Sequence, residues 1–181
     1  MSLKILTLIR HTTPDIAPGI CYGQMDIGVS KSFADEAAAV SGWLSPPELI
    51  ITSPLQRTRR LAEHLASQFQ CELRSHAGLQ EMHFGDWEGR SWSDIPRSEI
   101  DAWSADMLNY TPPNGESAQQ LMRRVENVLQ DLALLPQQHI TIVAHGGSMR
   151  ALLAQLADIP LSQTLSWQIE YGAVMGVVAK T

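Results

Sequence analysis

The amino-acid sequence predicts an α/β fold, a three-layer α/β/α sandwich whose mixed, mostly parallel sheet carries helices on both faces. Three observations predict it. Short β-branched runs alternate with longer helical stretches along the 181 residues, the order that builds crossover units and parallel sheets. The last two strand-like runs, LSWQIEY and AVMGVVA, follow one another without a helix and read as a hairpin, so the sheet is mixed. Composition is that of an ordinary globular protein: 44% hydrophobic and 18% charged residues argue against disordered and fibrous classes. The length suffices for one core without disulfides or a structural metal, and residues 1–181 are read as a single domain.

The first strand, Leu3 to Ile9, alternates apolar and β-branched residues as a buried strand does. It delivers Arg10 and His11 at its carboxyl end, where ligands collect in open α/β sheets. Residues 12–31 hold Pro14, Pro18, Gly19, Gly23 and Gly28 and read as a long loop, a kind that is often functional. Ser32 opens a helical stretch, SFADEAAAVSGWL, with acidic residues in its first turn where the macrodipole favours them. Pro46-Pro47 ends it. The strand ELIIT stops at Ser53-Pro54, read as a cap residue followed by proline at the first helical position. In the helix that follows, Leu55, Leu61, Leu65 and Phe69 fall on one side, and Arg57 sits one turn inside the start.

After a short strand, CELRSH, the texture changes from Leu79 to Glu116. Trp87, Trp92, Trp103 and Tyr110 stand among Gly, Pro and Asp, so residues 82–116 are read as an excursion that caps the sheet. The PPNGES turn closes it, and Ser117 caps a helix with Leu121, Val125, Val128, Leu129 and Leu132 as its inward stripe. The strand HITIVA then ends in His145-Gly146-Gly147-Ser148 and feeds the helix MRALLAQLA. This repeats the opening pattern of an apolar strand with a histidine at its end.

A net charge of −6 argues against a general nucleic-acid partner, so an anionic substrate has to be captured by local cations. Ten of the thirteen basic residues are Arg, whose planar fork matches phosphate and carboxylate oxygens. Two cysteines, Cys21 and Cys71, without CxxC or zinc-ligand spacing, are expected in a reducing cytoplasm. No stretch approaches the roughly 18 apolar residues of a membrane span and the first apolar run is too short for a signal peptide. A soluble, unprocessed protein with no membrane partner is expected, its oligomeric state open.

Four separated stretches call for one explanation: Arg10-His11, Arg57 in TSPLQRTRR, Glu81 in LQEMHFGDWEG, and His145 in AHGG. Three of them lie at or just beyond strand carboxyl ends and can converge on one edge. Two arginines, two histidines and a carboxylate, with the backbone amides of Gly146 and Gly147 at a helix start, describe an anion pocket with a nucleophile and an acid. Phosphoryl transfer fits, because its catalysis is mostly positioning and charge stabilisation. A neutral imidazole held in one tautomer is a competent nucleophile. The leaving alkoxide needs a proton, and desolvation in such a pocket favours a protonated carboxyl.

The stretches RHTTP, CYGQMD, TSPLQRTRRLA, LQEMHFGDWEG, PPNGES and IVAHGG, in this order, resemble the histidine phosphatase superfamily, also called phosphoglycerate-mutase-like, and within it the short bacterial α-ribazole phosphatases. The resemblance implies the phosphoglycerate-mutase-like form of the sandwich and a phosphomonoesterase working through phosphohistidine. It points to hydrolysis of α-ribazole 5′-phosphate to α-ribazole in cobalamin biosynthesis, with a small phosphomonoester as partner and neither metal nor cofactor. His11 is the implied nucleophile and Glu81 the proton donor and later acceptor. Arg10, Arg57, His145, Gly146, Thr13 and Gly23 form the implied phosphate-binding set. The chain departs from the family where Gly often follows the nucleophile, with Ser or Thr two positions after it; here stand Thr12, Thr13 and Pro14. A common Asn six residues after the nucleophile is Ala17. Thr12 or Thr13 is expected to replace those donors.

Other readings are weaker. Asp86 and Glu88 rival Glu81 by proximity, and His64, His76, His83 and His139 have no motif around them and read as surface or structural. HGGS lacks the G-x-S-x-G of a nucleophile elbow, so Ser148 is read as a helix cap. Asp15, Asp26 and the histidines have no metal-ligand spacing. The aromatic excursion could stack on a benzimidazole-like base; packing on itself is the simpler expectation. A broad-specificity phosphatase or a phosphoglycerate mutase is the alternative enzyme, and a non-catalytic phospholigand-binding module the alternative from another class.

Overall fold

The computed structural model describes residues 3–180. Five strands form one sheet in the order β3-β2-β4-β1-β5: β1 (Leu3–Arg10), β2 (Leu49–Thr52), β3 (Glu72–Ser75), β4 (His139–Ala144) and β5 (Val174–Lys180). The first four are mutually parallel, and β5 runs antiparallel to β1. Helices α1 (Phe33–Gly42) and α2 (Gln56–Phe69) lie on one face, and α4 (Ala118–Ala133), α5 (Gly146–Leu156) and the short α6 (Leu161–Thr164) on the other. This is the three-layer mixed α/β arrangement that the sequence predicts.

The period-two alternation of the strands sorts their side chains between the two layers. Leu6 and Leu8, Leu49 and Ile51, and Ile140 and Ile142 pack with Leu121, Val125, Val128 and Leu132 of α4 and with Leu152 of α5. The intervening Ile9, Ile50 and Val143 face the other way, onto Ala37 and Val40 of α1 and Leu61 and Leu65 of α2. Lys4, buried in the α4 layer, sends its ammonium group to Leu135 O and Gln137 O at 2.5 and 2.8 Å, which satisfies carbonyls beyond the end of α4. The start of α4 carries a capping box, with Ser117 Oγ accepting from Gln120 N and Gln120 Oε1 accepting from Ser117 N.

Between β3 and α4 the chain leaves the sheet through three 3-10 turns and α3 (Arg97–Ala105). Cys21, Trp87 and Ile95 make a separate small core there, with Phe84, Trp92, Trp103 and Tyr110 around it. The rings pack on each other: Trp92 stacks on Trp103 and Trp87 on Tyr110, both at 5.9 Å between centroids. Trp87 Nε1 donates to Glu99 Oε2 at 2.6 Å, which satisfies its buried N–H.

Two expectations are corrected. LSWQIEY is no strand: Leu161–Thr164 is helical, and residues 165–173 run irregularly into β5. The sheet is mixed through β5 on β1, with no terminal hairpin among the described residues. The physical reason is that this segment spends its backbone groups elsewhere: Ile169 O accepts from Arg10, Trp167 O accepts from Arg150, and Gly172 N donates to the carbonyls of Arg10 and His11. Ser53-Pro54 is also not the start of α2, which begins at Gln56 with Leu55 in the cap position. Asp26 Oδ1 takes the Gln56 N–H at 2.6 Å, and the Ser53 hydroxyl is bonded to His145.

Candidate active site

Strand register assembles the centre. Arg10 pairs with Ala144, and Thr52 with Val143, so His11 and His145 step off adjacent parallel strands side by side, with Ser53 on the third. His11 N donates to Ala144 O at 3.0 Å, and Ser53 N to Val143 O at 3.1 Å, which carries the ladder one residue past the strands. The two imidazoles meet edge to face at 5.2 Å. Both are buried, His11 1% exposed and His145 not at all.

Burial decides their charge. The His11 pKa is pushed down to about 3, first by loss of solvation and then by the Arg57 charge. His145 is held well below its ordinary value by burial, and then by Arg57. His11 Nδ1 lies 2.7 Å from Thr12 O. A carbonyl only accepts, so Nδ1 carries the hydrogen and Nε2 the lone pair. The Ser53 hydroxyl lies 2.9 Å from His145 Nε2 and sets that ring's orientation.

Arg57 is fully buried and reaches back to the 12–31 loop, with Nη1 on Met25 O at 2.8 Å and Nη2 on Gly23 O at 2.6 Å. Arg10 is anchored in the same way, Nη1 on Ile169 O at 2.5 Å. Arg57 is fixed through both end nitrogens and Arg10 through Nη1, while the Nε of each stays buried with no partner. His145 Nδ1 and Thr12 Oγ1 are likewise buried and unpartnered. Buried polar atoms are nearly always bonded, so this cluster around His11 is built to receive an acceptor-rich group. Two cations beside it fix the sign of that group as negative.

Glu81 reaches the same place from the excursion. Its Oε2 accepts from Gly147 N at 2.9 Å, in the first turn of α5, and its Oε1 accepts from Met82 N at 2.9 Å. A Cβ on Gly147 would fall inside the carboxylate, so glycine is required for this approach. Arg124 of α4 fixes the backbone beneath it, donating to Gly78 O, Gln80 O and Glu81 O while pairing with Glu116 at 2.5 Å. The rival carboxylates are committed elsewhere. Glu88 accepts from Gln24 N, Met25 N and Phe84 N, and Asp86 takes the Asn114 amide.

Of the remaining expected residues, Gly146 opens α5 next to Arg10, where an added Cβ would stand 3.6 Å from Arg10 Cζ. Gly23 contributes its carbonyl to Arg57, and a Cβ there would collide with Met82 O and Glu88. The structure does not turn the Thr13 backbone toward the cluster, since its N–H donates to Glu36 Oε2 at 2.8 Å. Thr12 supplies the buried hydroxyl instead. Ser148 Oγ accepts from His145 N at 3.1 Å, as expected of a residue capping α5. His64 packs on Phe33, His76 caps a 3-10 turn, His139 meets Thr7, and His83 is substantially exposed. Among the described residues, no group of three or more His, Cys, Asp or Glu stands together as a metal site.

Sequence reasoning missed four groups. Tyr22 and Tyr171 join hydroxyl to hydroxyl at 2.6 Å. The Arg10 guanidinium lies 4.0 Å over the Tyr171 ring, which itself sits 5.4 Å from His11, and Arg57 stands 5.3 Å from Tyr22. Burial and the bond to Tyr171 raise the Tyr22 pKa, so Tyr22 stays protonated. Ser53 and Arg150 are the others; Arg150 is half-buried beside Glu81 and Arg10, with burial lowering its pKa and Glu81 opposing that shift. The CYGQMD stretch around Tyr22 and the TSPLQRTRRLA stretch around Ser53 offered a signal, but it pointed to Gly23 and Arg57; nothing marked Tyr171 or Arg150.

A neutral imidazole with a free lone pair, set among buried cations and unpartnered donors with a carboxylate alongside, makes a site suited to an anion at the edge of an α/β sheet. The family model of the histidine phosphatase superfamily (branch 1) matches residues 6–180, and the chain belongs to that superfamily and is a phosphatase. It is 30% identical over 175 residues to the adenosylcobalamin/α-ribazole phosphatase of Salmonella typhimurium, covering 92% of this chain and 86% of that protein. It is 29% identical to a glucosyl-3-phosphoglycerate phosphatase of Mycobacterium tuberculosis, covering 90% and 79%. The crystal structure of the α-ribazole phosphatase from Shigella flexneri superposes with a TM-score of 0.88 at 27% identity, covering 95% of this chain and 89% of that one.

Proposed function

We propose that this chain hydrolyses phosphomonoesters through phosphohistidine on His11, and that its substrate is α-ribazole 5′-phosphate, released as α-ribazole in cobalamin biosynthesis. The observation that carries the mechanism is the neutral His11 with its Nδ1–H committed to Thr12 O, surrounded by the unpartnered Arg10 Nε, Arg57 Nε, His145 Nδ1 and Thr12 Oγ1. In the first step the His11 Nε2 lone pair forms the N–P bond as the ester P–O bond breaks. Protonated Glu81 gives its proton to the departing alkoxide. The two guanidinium groups and the His145 and Thr12 donors hold the phosphoryl oxygens and their growing charge.

In the second step water attacks phosphorus, Glu81 takes its proton, and the N–P bond breaks to release phosphate and neutral His11. Residues 82–116 act as a cap that carries Met82 and Phe84 beside this centre and holds Glu81 at its root. The substrate assignment is supported by the relatives named for α-ribazole. A cytoplasmic setting is supported by two unpaired cysteines, one buried.

Rapid acid-free quench after mixing with labelled substrate is expected to trap an acid-labile, alkali-stable phosphoprotein, and His11→Ala to abolish it. No trapped species, together with full activity of His11→Ala, would overturn the mechanism. Activity is expected to survive EDTA. A panel of α-ribazole 5′-phosphate, 3-phosphoglycerate, glucosyl-3-phosphoglycerate and sugar phosphates tests the substrate; isomerised phosphoglycerate in place of free phosphate would mark a mutase.

A further inference from the structure

A cleft of about 250 Å³ opens directly against Glu81. Glu81, Gly147 and Arg150 form its polar end, and Met82, Phe84, Trp103, Met107, Leu161 and Leu165 are among its apolar walls. It lies between the excursion and the α5–α6 corner, so residues from both sides of the chain build it. Its polar end is already ordered. Arg150 Nε and Nη2 both donate to Trp167 O, at 3.0 and 2.7 Å. Its remaining Nη1 stands over Gly146, 3.2 Å from where a Cβ would lie, with Arg10 Cζ 3.6 Å from the same point. Arg150 therefore connects the anion cluster to the cleft.

Resting on the phosphatase reading above, we propose that this cleft receives the leaving alcohol and selects phosphomonoesters whose alcohol carries an apolar group of one or two rings, with a hydrogen-bond acceptor near the ester turned to Arg150. The leaving oxygen must lie within hydrogen-bond reach of the acid that protonates it, and Glu81 forms the cleft wall at that point. Whatever the oxygen is attached to extends from there. The tyrosine pair lies over the arginines and His11 and occupies that flank of the nucleophile. The volume falls below the roughly 300–1,000 Å³ of sites for drug-sized ligands, so it suits a ring system rather than a whole cofactor-sized alcohol. Eight apolar residues against one guanidinium and one carboxylate disfavour a charged or polyhydroxylated alcohol, whose desolvation would go uncompensated.

The test is a series of phosphate esters of primary alcohols of similar acidity: ethyl, glyceryl, benzyl and 2-naphthylmethyl. Similar leaving groups hold the chemistry constant, so kcat/KM reports burial. Burying one carbon is worth about fourfold, and 2-naphthylmethyl phosphate is expected to exceed ethyl phosphate by at least about tenfold, with glyceryl phosphate lowest. Met107→Glu and Leu165→Glu put a carboxylate on partly exposed walls and are expected to cut the naphthylmethyl-to-ethyl ratio to roughly a third or less. Met107→Ala, which adds no charge, is expected to lower it by a smaller factor. A flat series in the native enzyme, or a ratio untouched by all three variants, overturns the cleft assignment and leaves phosphatase function standing. Failure to turn over any ester in the series while α-ribazole 5′-phosphate is hydrolysed also overturns the cleft assignment, and failure on α-ribazole 5′-phosphate as well overturns the phosphatase mechanism itself.

Discussion

The charge state of His11 makes a prediction that stability can test without any substrate. In the unfolded chain this imidazole binds its proton with the ordinary pKa of 6.5, and in the folded protein only near about 3. Between those values the unfolded state holds more protons, so stability rises with pH across the window. The contribution is fully present above about pH 6.5 and is lost as pH falls toward about 3. Lowering the pH from 7.5 to 5 removes about 2 kcal/mol through His11 alone by this linkage, and His145, shifted in the same direction by burial, adds to the loss. His11→Asn keeps a polar side chain but does not titrate. Urea unfolding of both proteins at the two pH values is expected to show the native protein losing about 2 kcal/mol more than His11→Asn, with the His11 ring resonance not titrating near neutrality. Equal losses, or a His11 resonance that titrates near 6.5, would refute the neutral buried imidazole on which the proposed nucleophile rests.

Two further perturbations separate the acid from the anion cluster. Gly147→Ala inserts a methyl into the place of the Glu81 carboxylate. It is expected to lower kcat about a hundredfold or more for alkyl phosphates and far less for nitrophenyl phosphate, whose leaving group needs no proton; an equal loss on both would place Glu81 outside proton transfer. Glu88→Gln replaces an acceptor of three backbone N–H groups with a group that can donate. It loosens residues 23–25, which anchor Arg57, so the inhibition constant of inorganic phosphate is expected to rise roughly tenfold, and unchanged phosphate inhibition would show that Arg57 is fixed without it.

Much of the fold was readable because its determinants are local. The alternation of Leu3 to Ile9 and of His139 to Ala144 specifies strands whichever neighbours they find, and Ser117 with Gln120 closes its own capping box within one turn. The same local logic failed for LSWQIEY, whose apolar and aromatic residues suit a strand. Its carbonyls were claimed by Arg10 and Arg150 from distant parts of the chain. It failed for Ser53 as well. A serine before proline is a sound cap by local propensity, but a buried histidine on the neighbouring strand took the hydroxyl.

The centre divides along the same line. Sequence alone determined that a histidine stands at the end of two buried strands, that an arginine follows a third, and that glycines open the helix after His145. Those are properties of residue order and of strand and helix periodicity. Only the tertiary structure decided which nitrogen of His11 carries the hydrogen and which nitrogens of Arg10 and Arg57 are left for an anion. It also decided that Glu81, rather than Glu88, stands on α5, and that Tyr22 and Tyr171 close over the arginines. Those outcomes depend on contacts between distant segments, between residues as far apart in sequence as Gly23 from Arg57 and Arg10 from Ile169. The free energy of each such hydrogen bond or burial exists only after the strands are in register and water has been excluded.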